Sequence, residues 1–282
     1  MTEPARPKEQ KAIPKRRLGR TAEHVSILGL GGEGLLRTHN AGKEAVELIS
    51  CAIDLGINYM ETARAYAGSE SYYGEALKGR RDKVFLASKS HSRSKQGAFK
   101  HLEETLKNLK TEYLDLWQVH DVRDEDDVET IFGPGGAIEA FTEARDKGLV
   151  RFIGVTGHQD PKILKTCLET FEFDTALIPV NPAEPNYKCF LEEIVPTASA
   201  KDIGLVGMKV YLKGLFDAPK KLLFSYALTQ PIATAVVGCD TIEQLKENAD
   251  AAMNFLPLKY IETQRLTNLV STYARELMPY KP

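Results

Sequence analysis

Apolar and polar positions along the chain follow two rhythms. Short apolar runs recur at Val25–Leu30, Tyr59–Glu61, Val84–Ser88, Leu114–Val119, Phe152–Thr156, Thr175–Val180, Leu205–Val210 and Ala233–Val237. They read as strands, and their near-continuous apolar character predicts parallel strands covered on both faces. Between them the spacing of apolar residues becomes helical. Helices are predicted over Lys43–Leu55, Glu70–Lys78, Gly97–Leu109, Ile138–Lys147, Lys162–Thr170, Leu191–Lys201, Pro219–Leu228 and Thr241–Asn254, and a final one over Ile261–Leu277. Arg17–Glu23 reads as a turn-rich segment before the first strand. Eight strand–helix units predict an α/β protein with a closed (β/α)8 barrel (TIM barrel) over residues 16–282, carrying an extra C-terminal helix. A polar start, residues 1–15, reads as a flexible segment outside the barrel.

One competing pattern lies at the first strand. Gly29-Leu30-Gly31-Gly32-Glu33-Gly34 satisfies Gly-x-Gly-x-x-Gly, the fingerprint of a doubly wound dinucleotide fold. That fold needs a helix opening directly at the third glycine. Polar residues 37–42 intervene here, so the alternation favours the barrel.

Composition narrows the partners. The chain has 282 residues, 43% hydrophobic and 27% charged, with a net charge of −2. Such a balance offers no field for nucleic acid or an anionic membrane surface. No apolar stretch approaches the ~18 residues of a membrane span. The N-terminal seventeen residues lack the apolar core of a secretory signal, and Arg16-Arg17 without an apolar segment behind it carries no export signal. Cys51, Cys167, Cys189 and Cys239 lie far apart without metal-ligand spacing, so no metal is expected. Reduced thiols and a cytoplasmic location are the expectation. Oligomeric state is left open.

In a barrel of this kind the chemistry sits at the C-terminal strand ends. Glu61 ends the second strand and Tyr66 follows in the next turn, ahead of a helix whose start is marked by Ser69-Glu70. Lys89 follows the third strand and His120 the fourth. A carboxylate, a phenol, an ammonium and an imidazole thus arrive at neighbouring positions of one barrel mouth, a combination suited to proton transfer.

These residues resemble the aldo-keto reductases. The resemblance is carried by Arg17-Leu18-Gly19-Arg20-Thr21 with Val25–Gly32, and by Glu61-Thr62-Ala63-x-x-Tyr66-x-x-Ser69-Glu70-x-x-x-Gly74-x-x-Leu77. Lys89, Trp117-Gln118-Val119-His120, Gly148-x-Val150-Arg151-x-Ile153-Gly154-Val155-Thr156 and Glu247-Asn248 continue it, so that residues 16–255 are covered. The resemblance implies reduction of a small-molecule carbonyl, or oxidation of the matching alcohol, by a nicotinamide cofactor. It assigns Tyr66 as general acid, Lys89 as the cation that acidifies it, Glu61 as the anchor of Lys89, and His120 as the hydrogen-bonding guide for the substrate oxygen. For the cofactor it implies Gly31, Gly32, Thr156, Asn181, Met208, Lys209, Val210, Gly238, Cys239, Asp240, Thr241, Gln244, Glu247 and Asn248.

Three departures from the family pattern stand out. Glu61 occupies the place of an aspartate, one methylene shorter. The serine–asparagine pair that grips the carboxamide is replaced by Thr156-Gly157-His158, of which Thr156 retains a hydroxyl. Met208-Lys209 stands where an aromatic stacks on the nicotinamide, and Lys209 has the reach to meet a phosphate. At the adenosine end Gln244 replaces an arginine that clamps a 2′-phosphate, with Asp240 close in sequence. The family's habit favours NADP(H); the neutral Gln244 keeps NAD(H) open.

Other polar residues carry two readings each. His91, Ser92, His158 and Tyr211 are either substrate-loop residues or plain surface. Trp117 reads as wall or core, Cys239 as packing, Gly133–Gly136 as a turn shaping the substrate mouth, and Asp121–Asp127 as a solvated acidic loop. The C-terminus, Met278–Pro282, is short, which predicts an open pocket. Two rival functions are a nucleotide-binding regulatory module with vestigial turnover and a cofactor-free barrel isomerase or lyase.

Overall fold

Eight parallel strands close into a barrel in a computed structural model that describes residues 11–282. Two short strands precede them. β1 (Lys15–Arg17) pairs antiparallel with β2 (His24–Ser26). The barrel strands are β3 (Leu28–Gly34), β4 (Tyr59–Glu61), β5 (Phe85–Ser90), β6 (Leu114–Val119), β7 (Val150–Thr156), β8 (Thr175–Pro179), β9 (Gly204–Met208) and β10 (Thr234–Cys239), with β10 pairing back onto β3. Helices α1 (Gly42–Asp54), α2 (Ser69–Ala76), α3 (Lys95–Leu109), α4 (Glu125–Phe132), α5 (Ala137–Asp146), α6 (Pro161–Thr170), α7 (Phe190–Ala200), α8 (Lys220–Thr229), α9 (Ile242–Met253) and α10 (Tyr260–Val270) follow in chain order.

The period of two along each strand divides the core. Outward residues such as Met60, Leu86, Trp117, Val119, Ile153 and Ile178 meet the helices. Inward ones, including Tyr59, Phe85, Leu116, Leu177, Val206 and Val236, fill the barrel. Trp117 is core, stacked on Phe141 with ring centroids 3.7 Å apart.

The first predicted strand divides at Ile27. Ser26 donates its hydroxyl to Leu28 O, and Asn58 Oδ1 accepts from Ser26 N while its Nδ2 donates to His24 O. These bonds turn the chain, so His24–Ser26 forms a hairpin that seats Leu18 and Val25 in the floor of the barrel. The Gly-x-Gly-x-x-Gly run lies inside β3, and α1 opens only at Gly42, which excludes the doubly wound alternative.

The acidic run 121–127 is not all loop. Asp124 accepts from Asp127 N as the cap of α4, and Glu125, Asp126 and Asp127 fill its first turn, where the helix dipole favours anions. The last helix stops at Val270, and the chain beyond it returns over the barrel mouth. Of residues 1–15, expected to be flexible, the first ten lie outside the described residues; Ile13 is buried and Lys15 pairs with Ser26. Among the described residues no helix is long and apolar enough to cross a membrane.

Candidate active site

The four candidate residues converge because their positions share the inward phase. Glu61 stands two residues beyond the inward Tyr59, Lys89 two beyond Ala87, and His120 two beyond Gln118 at the exit of β6. Lys89 Nζ donates to Glu61 Oε1 at 2.7 Å, to Thr62 O at 3.0 Å and to Tyr66 OH at 3.5 Å. The Tyr66 and His120 rings meet edge to face, centroids 5.9 Å apart. Arg37, paired with Glu33 at 3.1 Å, covers the Tyr66 ring at 4.8 Å.

Tyr66 reaches this place because β3 has no side chain in the way. A Cβ on Gly32 would stand 2.9 Å from Tyr66 Cδ2 and 2.9 Å from Glu61 O. Glu70 of the same hallmark stretch has a structural task. Its buried carboxylate accepts from Ser88, Thr105 and Asn108, tying α2 to β5 and α3 next to Lys89.

Burial dominates the electrostatics. It raises the Tyr66 phenol above the ordinary tyrosine range, opposed by the Lys89 ammonium. Burial also opposes the Lys89 charge, but Glu61 and Tyr66 facing it hold the ammonium above the usual lysine value. His120 is driven well below the ordinary histidine range, first by burial and then by Lys89, and its Nδ1 has no partner. The cluster therefore holds a protonated phenol, a charged ammonium and a neutral imidazole near neutral pH.

These groups line a cavity of about 1180 Å3, ample for a dinucleotide. Its lining also includes Gly238, Asp240 and Gln244, together with Lys209, Lys213 and Lys220. None of the three ammoniums has an ion-pair partner among the described residues. Lys209, Leu212 and Lys213 hold left-handed backbone angles, the kind of strain that persists at functional loops. A cavity of this volume, lined both by the proton-handling groups and by three ammoniums without ion-pair partners, fits a nicotinamide dinucleotide. Among the described residues no cluster of three or more His, Cys, Asp or Glu is built to hold a metal.

Of the residues predicted for the cofactor, Gly31, Thr156, Met208, Lys209, Val210, Gly238, Asp240 and Gln244 line the cavity. Thr156 Oγ1 accepts from Asp121 N at 2.8 Å, which leaves its own proton to give. The others are turned elsewhere. Gly32 packs against Tyr66; Thr241 caps α9 by accepting from Gln244 N; Glu247 is exposed on that helix. Asn248 accepts from Tyr211 OH at 2.6 Å and donates to Cys239 Sγ, which accounts for all three residues. Asn181 is completely buried: Nδ2 donates to Lys209 O and, at 3.0 Å, to Tyr280 OH, while Oδ1 accepts from Ala183 N.

Local sequence missed two features. Arg93 clamps Asp127 through both carboxylate oxygens and donates to His120 O and Asp121 O, fixing the turn that presents His120. The C-terminal tail closes the side of the mouth that its shortness was expected to leave open. Tyr280 lines the cavity, and Lys281 forms a fully buried pair with Glu184 at 2.7 Å. Burial pushes Glu184 up to about 7 and lowers Lys281, so desolvation weighs more than the attraction between them. His91 and His158 line the cavity too, His158 with its Nε2 3.1 Å from Asp121 Oδ1. Gly133–Gly136 lies between α4 and α5, away from the cavity.

The model of the Aldo/keto reductase family matches residues 27–222. An uncharacterised oxidoreductase of Bacillus subtilis, YqkF, is 26% identical over 84% of this chain and 90% of its own length. The holo form of an aldo-keto reductase from Bacillus halodurans superposes with a TM-score of 0.77 at 26% identity, over 91% of this chain and 96% of that one. An aldo/keto reductase from Klebsiella pneumoniae in complex with NADP and acetate shares the fold with a TM-score of 0.73 at 23% identity, over 91% and 95% of the two chains.

Proposed function

The chain belongs to the aldo/keto reductase family, whose members reduce carbonyls with NAD(P)H, and from that premise we propose that it reduces aldehydes, ketones or sugar-like carbonyls with Tyr66 as general acid. The observation that carries this reading is the protonated phenol beside the Lys89–Glu61 pair, all three lining the cavity. A nicotinamide bound in the cavity supplies the hydride. Tyr66 gives its proton to the carbonyl oxygen as that oxygen gains charge, and the Lys89 ammonium stabilises the phenolate left behind. Glu61 and Thr62 O fix the ammonium. The neutral His120 ring orients the substrate oxygen by a hydrogen bond without competing for the proton.

The cofactor is NADP(H) rather than NAD(H) in this reading. Lys213 and Lys220 bring to the cavity a positive charge that Gln244 lacks, and a site so charged favours the extra phosphate. A cytoplasmic setting accords with four free thiols.

The test has two stages. Purified protein should be stabilised thermally more by NADP⁺ than by NAD⁺, and should oxidise NADPH in the presence of members of an aldehyde panel. Tyr66→Phe should bind the nucleotide unchanged and lose turnover by about a hundredfold or more, the range for general acid catalysis. Turnover that survives in Tyr66→Phe sinks the assignment. Tight nucleotide binding without turnover by the wild type would instead support a regulatory module, a reading favoured by the absence of Asn181 from the cavity.

A further inference from the structure

The C-terminal tail has no role in the chemistry above, yet it is held by a buried ion pair and a set of hydrogen bonds. Tyr280 OH accepts from Asn181 Nδ2 and donates to Glu184 Oε1 at 2.9 Å. Lys281 Nζ donates to Glu184 Oε2, to Tyr187 O at 2.9 Å and to Lys188 O at 2.8 Å, and Tyr187 OH donates to Pro282 O at 2.7 Å. Leu277 and Met278 are buried with Ala183, Leu212 and Val270.

Two readings of this contact compete. In one, the tail blocks Asn181 and swings away so that the amide can meet the cofactor. Swinging the tail away would break the hydrogen bonds of Lys281 to Tyr187 O and Lys188 O and of Tyr280 to Glu184, and would expose Leu277 and Met278, to free a single amide. Releasing Asn181 on those terms is unfavourable, and the tail stays. In the other reading the tail is part of the site. Tyr280 stands in the cavity among Thr156, His158, Met208 and Lys209. Its ring meets His158 edge to face, centroids 5.9 Å apart, and Lys209 Nζ lies 5.4 Å over its centroid. This is the neighbourhood of the β9 end, where Met208 offers no aromatic face.

We propose that Tyr280 supplies from the C-terminus the aromatic surface against which the nicotinamide ring packs, with Asn181, Glu184 and Lys281 as positioning residues that hold it there. The inference rests on the family-level reading of the cavity as a nicotinamide site. Its prediction is selective, because only the nicotinamide half of the dinucleotide meets Tyr280.

The experiment compares dissociation constants, by calorimetry, for NADP⁺ and for adenosine 2′,5′-bisphosphate, which lacks the nicotinamide. If the wild type prefers NAD⁺, that nucleotide and adenosine monophosphate take their place. Tyr280→Leu should weaken the dinucleotide about tenfold, the range of one lost aromatic stack, and leave the adenosine fragment unchanged. Tyr280→Phe keeps the ring; it should lower the melting temperature through the lost hydroxyl bonds while holding the dinucleotide within about threefold. Lys281→Met, which loosens the anchor, should weaken the dinucleotide and spare the fragment. Equal weakening of both ligands in Tyr280→Leu, an unchanged dinucleotide affinity in the folded variant, or a loss confined to the Michaelis constant of the carbonyl each overturns the inference. Failure of the wild type to bind any of these nucleotides overturns the cofactor reading itself, a result distinct from the other three.

Discussion

Replacing Lys89 by methionine keeps the length of the side chain and removes its charge. Glu61 and Lys89 are 5% and 1% exposed, so solvent cannot replace the lost partner. Glu61 Oε2 already has no hydrogen-bond partner, so the variant leaves both oxygens of a buried carboxylate unpaired and Thr62 O without its donor. Breaking a buried pair from one side costs about 3–5 kcal/mol. At roughly 2–4 °C per kcal/mol for a domain near this size, the melting temperature at pH 8 should fall by about 6–20 °C. The stranded carboxylate can escape by taking up a proton, and this gives the deficit a sign with pH. A carboxyl whose folded value is raised binds its proton more tightly in the folded state, so its penalty shrinks as pH falls, by up to about 1.4 kcal/mol per unit. Lys89 in the wild type, held above the ordinary lysine value, contributes fully below about pH 10.4 and loses its contribution only above it. Lys89 therefore adds no slope to the wild type between pH 5 and 8, and the slope belongs to the variant. Calorimetry across that range measures it, and the double variant Glu61→Gln with Lys89→Met should recover most of the loss. A Lys89→Met protein melting within about 2 °C of wild type, or one whose deficit is equal at pH 5 and pH 8, would refute the buried pair as drawn.

Two further outcomes follow from the same geometry. Gly32→Ala puts a methyl group 2.7 Å from Ser69 Oγ and 2.9 Å from both Glu61 O and the Tyr66 ring, so the segment from Glu61 to Ser69 that carries Tyr66 must shift; turnover should fall about tenfold to a hundredfold with the fold intact by circular dichroism, and a rate within twofold of wild type would count against those contacts. His120, held well below the ordinary histidine value, stays neutral from about pH 6 upward, and the Tyr66 phenol stays protonated until above its ordinary value near pH 10. Carbonyl reduction should accordingly show a flat kcat/KM between pH 6 and 8 and a decline only at high pH. A limb near pH 6.5 that vanishes in His120→Ala would contradict the neutral imidazole.

How far the sequence carried the reading follows from what each feature depends on. The barrel and the proton-handling cluster depend on period: apolar runs alternate with helical stretches, and Glu61, Lys89 and His120 sit at the next inward position of adjacent strands. Such periodicity is local and legible. The division of Val25–Leu30 is not, because it turns on the side chain of Asn58, more than thirty positions away. The tail was unreadable for a stronger form of the same reason. Lys281 finds Glu184 across 97 positions, and nothing in Met278–Pro282 alone announces a buried ion pair. Asn181 shows the converse error. Its place in the sequence matched a cofactor contact, but the tail takes its amide. The raised value of the Tyr66 phenol was equally hidden, since it comes from burial, a property of the assembled mouth.

Glu61, longer by one methylene than the aspartate that the family pattern leads one to expect, need not weaken the site. The ammonium of Lys89 is fixed from two directions, by Glu61 Oε1 at 2.7 Å and by Thr62 O at 3.0 Å. The second contact comes from backbone immediately beyond β4 and does not depend on the length of the acid. A longer carboxylate can therefore keep its hold on Lys89 while the ammonium stays 3.5 Å from Tyr66. The other oxygen, Oε2, is buried without a partner, beneath the mouth on the inward face that also holds the unpartnered amide of Gln118. The substitution thus leaves the charge facing Tyr66 intact and transfers its consequence to the polar interior of the barrel. Differences in rate between this protein and relatives with the shorter acid are then to be sought in the buried Oε2 and the polar interior around it, and less in whether Tyr66 has a cation beside it.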